Sequence, residues 1–170
     1  ITVTSGATEA IFNAIHAVVR AGEEVIVLDP CYDCYEPAID LAGARAVHVA
    51  LDPQTFAVDW QKVRDAITPK TRMLMINSPH NPSGAMLDET DLSTLAEILR
   101  GTDIFLVSDE VYEHIVFDGR RHESVLRYPE LAARAFVISS FGKTYHCTGW
   151  KIGYAIAPEA LSAEFRKVHQ

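Results

Sequence analysis

The 170-residue sequence predicts a three-layer α/β/α domain, with helices on both faces of a mostly parallel, seven-stranded sheet. Two observations point there. Strand-like and helix-like segments alternate along the chain, which calls for right-handed crossovers between parallel neighbours. Several strand-like runs, Glu24-Val25-Ile26-Val27-Leu28 above all, are continuously apolar, as strands covered on both sides must be. The length suits one sizeable core and is short for two. No repeat, low-complexity tract or linker divides the chain.

In order, Ile1-Thr2-Val3-Thr4 alternates β-branched residues as a short strand does. Ser5-Gly6-Ala7-Thr8 then opens a helix reaching about Arg20, with Ile11, Ala14, Ile15 and Val18 on one face. Gly22 ends it. After the strand over 24–28 come a helix through Pro37 to Leu41, a strand over 46–51 and an amphipathic helix over 59–67. A strand over 72–76 runs into the turn-rich Asn77-Ser78-Pro79-His80-Asn81-Pro82-Ser83-Gly84, followed by a helix over 89–99. The strand over 104–107 ends in Ser108-Asp109-Glu110. An irregular stretch over 118–121 and a short helix over 130–134 precede a strand over 136–139. Residues 150–157, alternating at Ile152, Tyr154 and Ile156, read as the last strand, before a helical pattern over 161–168.

The net charge of -8, with no basic stripe, argues against a nucleic-acid surface, which needs clustered Lys and Arg to displace counterions. No apolar run of about 18 residues and no charged-then-apolar leader occurs, so neither a membrane span nor a secretory signal is expected. Three cysteines cannot close a set of disulfides, which fits a reducing compartment and a cytoplasmic protein. Cys31 and Cys34 are spaced C-x-x-C, but no second pair exists and the motif follows Asp29-Pro30 instead of opening a redox helix. They read as two plain thiols. With the seven histidines scattered and no H-E-x-x-H, no metal site is expected.

Chemistry concentrates at the strand ends, where sheets of this kind bind ligands. The organising stretch is Phe136-Val137-Ile138-Ser139-Ser140-Phe141-Gly142-Lys143-Thr144, an apolar run that hands over a lone lysine. A lysine held partly out of water beside other cations can lose its proton and attack a carbonyl. Ser5-Gly6-Ala7-Thr8 follows the first strand, Tyr32 the second, Asn81 the fourth, Asp109 and Tyr112 the fifth, and Ser140 and Lys143 the sixth. An anion cradle, an aromatic face, an amide, a carboxylate, a phenol and an amine together suit a phosphorylated aromatic aldehyde. Commoner ligands fail on spacing. A P-loop demands glycine where Val137 stands, a dinucleotide loop needs more than the single Gly6, and G-x-S-x-G is absent.

Asn81-Pro82-Ser83-Gly84, Ser108-Asp109-Glu110-Val111-Tyr112, Ser139-Ser140-Phe141-Gly142-Lys143-Thr144 and Thr148-Gly149-Trp150-Lys151-Ile152-Gly153 resemble, in order and spacing, the motif series of the fold-type-I pyridoxal-phosphate aminotransferases of class I/II. The resemblance spans essentially the whole chain. Asp29-Pro30-Cys31-Tyr32-Asp33-Cys34-Tyr35 and Phe141-Gly142-Lys143-Thr144-Tyr145-His146 are most similar to the methionine and kynurenine aminotransferase branch. It implies the large cofactor-binding domain of an aspartate-aminotransferase-like fold, with its last strand antiparallel, and pyridoxal 5'-phosphate as cofactor. The implied reaction moves an amino group from an L-amino acid (methionine, aromatic or kynurenine-like) to a 2-oxo acid.

Carried onto this sequence, the resemblance makes Lys143 the lysine that forms the Schiff base and then shuttles the Cα proton. Asp109 pairs with the pyridine nitrogen. Tyr112 and Asn81 hydrogen-bond the ring's phenolic oxygen, Asn81 reaching the substrate carboxylate too, and Tyr32 stacks on the ring. Gly6, Ala7 and Thr8, at the start of the helix they open, hold the phosphate together with Ser140 and Lys151. Lys151 stands where the family often has arginine, so a point charge replaces a bidentate clamp. Asp29-Pro30 and Asn81-Pro82 are expected to be cis.

The chain starts without Met inside a strand and stops inside a helical pattern, so residues 1–170 read as one domain of a longer protein. An N-terminal segment and a smaller C-terminal domain, bearing the arginine that the family uses for the substrate carboxylate, are expected outside it. The family builds its site between two subunits, which makes a homodimer the expected state of the full-length protein. Small-molecule amino and 2-oxo acids are the expected partners, with no nucleic acid and no membrane. The same residues would serve a carbon-sulfur β-lyase or an aminotransferase-like ligand-sensing domain of a transcriptional regulator.

Overall fold

The computed structural model describes residues 1–170. Strands β1 (Thr2–Thr4), β2 (Glu24–Asp29), β3 (Arg45–Ala50), β4 (Thr71–Asn77), β5 (Phe105–Asp109), β6 (Ala135–Ser140) and β7 (Gly153–Ile156) form one sheet in the order β1-β7-β6-β5-β4-β2-β3. Helices α1 (Ala7–Val18), α2 (Tyr35–Leu41), α3 (Trp60–Ala66), α4 (Glu89–Leu99), α5 (Pro129–Ala132), α6 (Phe141–Thr144) and α7 (Glu159–His169) connect and cover it. β7 pairs antiparallel with both neighbours and the other pairings are parallel, so it is the single reversed strand, as the resemblance implies. No helix is long and apolar enough to cross a membrane.

The two-sided burial read from β2 shows in its alternation. Val25 and Val27 belong to the core layer on the side of α1, α2 and α7, while Ile26 and Leu28 belong to the layer on the side of α3 and α4. Each such fully buried aliphatic side chain contributes roughly 1.5–3 kcal/mol. Local signals set the helix starts. Asp59 accepts from the Gln61 and Lys62 amides to begin α3, and Asp88 with Asp91 forms a capping box on α4.

One expectation is corrected. The last strand starts at Gly153, not at 150, because Thr148–Trp150 closes a 3-10 turn and Lys151 adopts a left-handed conformation at φ 52°. Pairing begins only where Gly153 lies opposite both Thr4 and Ser140. Lys143 sits on the one-turn helix α6, where the Tyr145 N–H donates to the Phe141 carbonyl at 2.9 Å. Asp29-Pro30 and Asn81-Pro82 are cis, and so is Ser78-Pro79.

Candidate active site

The carboxyl ends of β1, β2, β4, β5 and β6 lie along one edge of the sheet, and the reversed β7 begins at that same edge. Lys151, two residues before β7, therefore arrives beside the loop that follows β1. A cleft of about 180 Å³ opens there. Gly6, Ala7, Thr8, Tyr32 and Asn81 line it, and so do Asp109, Tyr112, Ser140, Lys143 and Lys151. All ten residues singled out in the sequence thus face one space. Asn77, Val111, Ile11 and Ile152 share the lining.

Asp109 lies at the buried end, only 5% exposed. Burial pushes its carboxyl up, while the Tyr35 hydroxyl, donating to Oδ2 at 2.6 Å, and the Val111 N–H, donating to Oδ1 at 3.2 Å, pull it back. The carboxylate is thereby fixed in orientation. An opposite charge or donor in the cleft would complete its shell. Asn77, last in β4 and in register with Asp109, donates from Nδ2 to the Asp109 carbonyl at 2.9 Å and accepts the Asn81 N–H on Oδ1 at 2.7 Å. One buried amide so holds two of the predicted groups in place.

At the opposite wall, Gly6 takes φ 84° and caps α1 without a side chain, leaving the first amides of that helix free of side-chain acceptors. A Cβ at Gly6 would lie 3.6 Å from Lys151 Nζ. The approach is made possible by Gly153, where a Cβ would fall 2.5 Å from the Gly6 carbonyl carbon and 2.6 Å from the Ala7 nitrogen. Helix amides, the Thr8 and Ser140 hydroxyls and the Lys151 ammonium make a donor set suited to a phosphate. Between this cradle and Asp109, Tyr32 offers a half-buried ring, in edge contact with Tyr35 at 5.9 Å.

Lys143 projects from α6 over the cleft, with Nζ 5.9 Å from the centroid of the Tyr112 ring. It is exposed, which corrects the expectation of an amine held partly out of water: α6 is a single turn at the cleft mouth and no other element of this chain covers it. The residues therefore fit pyridoxal phosphate by donor chemistry, with an anion cradle, a flat aromatic wall, a buried carboxylate and a reachable amine.

Sequence reasoning gave no role to Tyr35, Asn77 or Glu110. Tyr35 is the first residue of α2, and nothing local in the sequence links it to Asp109, 74 positions away. Glu110, 2% exposed, accepts from Ser108 Oγ and the Val125 N–H and lies 2.9 Å from His122 Nε2, tying the irregular stretch after Tyr112 to the end of β5. The cysteines are free. Burial, with Asp29 alongside, pushes the Cys31 thiol up to about 11, and burial with the Asp109 charge pushes Cys34 up to about 12, so neither is a nucleophile at neutral pH.

Residues 1–170 match the family described as aminotransferase class I and II. The chain is 53% identical over its whole length to the methionine aminotransferase of Escherichia coli K12, covering 44% of that protein. It is 46% identical to a probable N-succinyldiaminopimelate aminotransferase of Mycobacterium tuberculosis and 35% identical to human kynurenine–oxoglutarate transaminase 1, again over the whole chain and covering 43% of each. An Escherichia coli protein whose crystal structure was described with a methionine aminotransferase function superposes with a TM-score of 0.97 at 53% identity, over 99% of this chain and 45% of that one. Aspartate aminotransferase from Thermus thermophilus with maleate superposes at 0.92 with 38% identity, over 98% of this chain and 43% of that one. The chain spans less than half the length of the curated relatives it matches.

Proposed function

The chain belongs to the aminotransferase class I and II family, and from that premise we propose that it is the large, cofactor-binding domain of a pyridoxal-phosphate enzyme. The full-length protein transfers the amino group of an L-amino acid, of the methionine, aromatic or kynurenine type, to a 2-oxo acid. The observation that carries this reading is the convergence of five strand ends on one cleft, with a carboxylate at the bottom, an amine at the mouth and an anion cradle at the side. Relatives named for methionine and kynurenine support the substrate class.

When bound, pyridoxal phosphate supplies an aldehyde for the amino group and a ring that takes up the electrons left as Cα loses its proton. Gly6, Ala7, Thr8, Ser140 and Lys151 would hold its phosphate, and Tyr32 would stack on its ring. Asp109, oriented by Tyr35 and Val111, would hold a proton on the ring nitrogen. Tyr112 and Asn81 would donate to the ring hydroxyl's oxygen. Lys143 Nζ would be both the anchoring amine and, once free, the base that carries the proton from Cα. The exposed aromatic residues Tyr145 (68%) and Trp150 (75%), which follow Lys143 in the sequence, support assembly as a homodimer, and the free cysteines support a cytoplasmic location.

The absorption spectrum of the full-length protein with pyridoxal phosphate tests the assignment. We expect a visible band that changes with pH and disappears in Lys143→Ala, with turnover falling by about 10²–10⁴ or more. Identical spectra for the two proteins would refute it. Products formed from cystathionine separate amino transfer, which keeps the carbon skeleton, from β-elimination, which yields pyruvate.

A further inference from the structure

We propose that Asp29, Cys31 and His48 form a binding site for a thiophilic divalent cation of the zinc class, at the edge of the sheet and outside the cofactor cleft. Strand pairing creates it. His48, on edge strand β3, is in register with Val27 of β2, and Asp29 lies two residues beyond Val27, so the two side chains meet diagonally on one face of the sheet. The turn after Asp29 brings Cys31 back over them, and one ligand atom from each residue lies within 4.8 Å of the other two. Glu36, in the first turn of α2, comes down on the same imidazole from above.

The donor set is one nitrogen, one oxygen and one sulfur, the Cys31 thiol releasing its proton to solvent as the ion binds, which suits zinc bound by three protein ligands with a fourth, solvent position. His48 already points its two nitrogens in the way such sites require. Nδ1 faces the cluster, 2.8 Å from Asp29 Oδ2, and Nε2 faces the Glu36 carboxylate at 3.4 Å, the arrangement in which an outer carboxylate orients a ligating histidine. Two carboxylates converge on one imidazole, so the cluster keeps a surplus of negative charge even with that ring protonated. For one ion to bond both Nδ1 and Oδ2, their separation must open to about 3.5 Å. The His48 and Asp29 side chains, 36% and 37% exposed, are free to make that adjustment. The C-x-x-C spacing had suggested two sulfurs or none. Cys34 instead takes its charge environment from Asp109, on the cofactor side, and stands outside the cluster. An ion here would tie Cys31, and with it the neighbouring Tyr32 of the cofactor cleft, to β3.

The test uses full-length protein freed of metal by a chelator, then titrated with Zn²⁺ alone by calorimetry and with Co²⁺ alone by difference absorption. We expect one Zn²⁺ per chain and a Co²⁺ charge-transfer band from a single thiolate. Cys31→Ser removes the band, His48→Gln weakens Zn²⁺ at least tenfold, and Glu36→Gln weakens it by about tenfold. Cys34→Ser leaves both signals as in the parent. Far-ultraviolet dichroism checks that each variant folds, and Glu36→Gln, at an exposed helix position, keeps the test open should a core-proximal variant not. Absence of saturable Zn²⁺ binding by the parent protein would overturn the proposal. So would unchanged affinity in both His48→Gln and Glu36→Gln, or a loss in Cys34→Ser equal to that in Cys31→Ser.

Discussion

At Asp109 burial and hydrogen bonding act against each other, and the balance sets a pH dependence. Burial raises the carboxyl and the Tyr35 hydroxyl lowers it, so removing the hydroxyl lets it rise further and leaves less of it ionised at a given pH. Tyr35→Phe in the full-length protein is therefore expected to shift the acidic limb of the kcat/KM profile to higher pH. It should also lower kcat/KM by about tenfold, the loss of one hydrogen bond to a charged group. An unmoved limb would show that Tyr35 does not act through Asp109. The sequence made Asp109 legible through its place after a strand and its motif. It could not show Tyr35, because 74 positions separate the two partners and only the crossing of α2 over the sheet joins them.

Among the elements, β7 carries the tightest constraint. Ala at Gly153 would place a carbon against the Gly6–Ala7 peptide, backbone atoms that cannot yield without moving the cradle. Gly153→Ala is expected to cost about 3 kcal/mol or more, seen as a lowered urea midpoint, whereas Gly149→Ala, which meets nothing within 4 Å, should be nearly silent. At the start of β2, Glu24 accepts from Thr68 Oγ1 and from Arg45, both at 2.7 Å, and these bonds hold its carboxyl below the ordinary value of 4.5. The stability it contributes is complete above that value and is lost as pH falls through the lowered one. Glu24→Gln should therefore be less stable than the parent at neutral pH, the gap closing in strong acid, as read by urea melts across the range. The strands themselves were legible from β-branched and apolar runs. The start of β7 was not, since the alternation through Ile152 continues the strand pattern back into a segment that the turn at 148–150 removes.

For the whole molecule, the layered α/β/α plan followed from alternation along the chain. The strand order did not, because nothing local says that β1 lies beside β7. The same blindness hid the Cys31–His48 cluster, which exists only through the pairing of β2 with β3. Since the chain covers 44% of the Escherichia coli methionine aminotransferase, turnover is expected of the full-length protein, and these 170 residues expressed alone should give none by a 2-oxo acid assay. Measurable amino transfer by them would contradict the need for other parts. The insertion of β7 between β1 and β6 also fixes an order of events during synthesis. A nascent chain can lay β2 through β6 side by side as each emerges, but β1 lacks its partner β7 until residue 153 has left the ribosome. The Gly6 corner is then the last part of the sheet to close, so the growing polypeptide cannot complete the proposed phosphate cradle before most of this domain has been made.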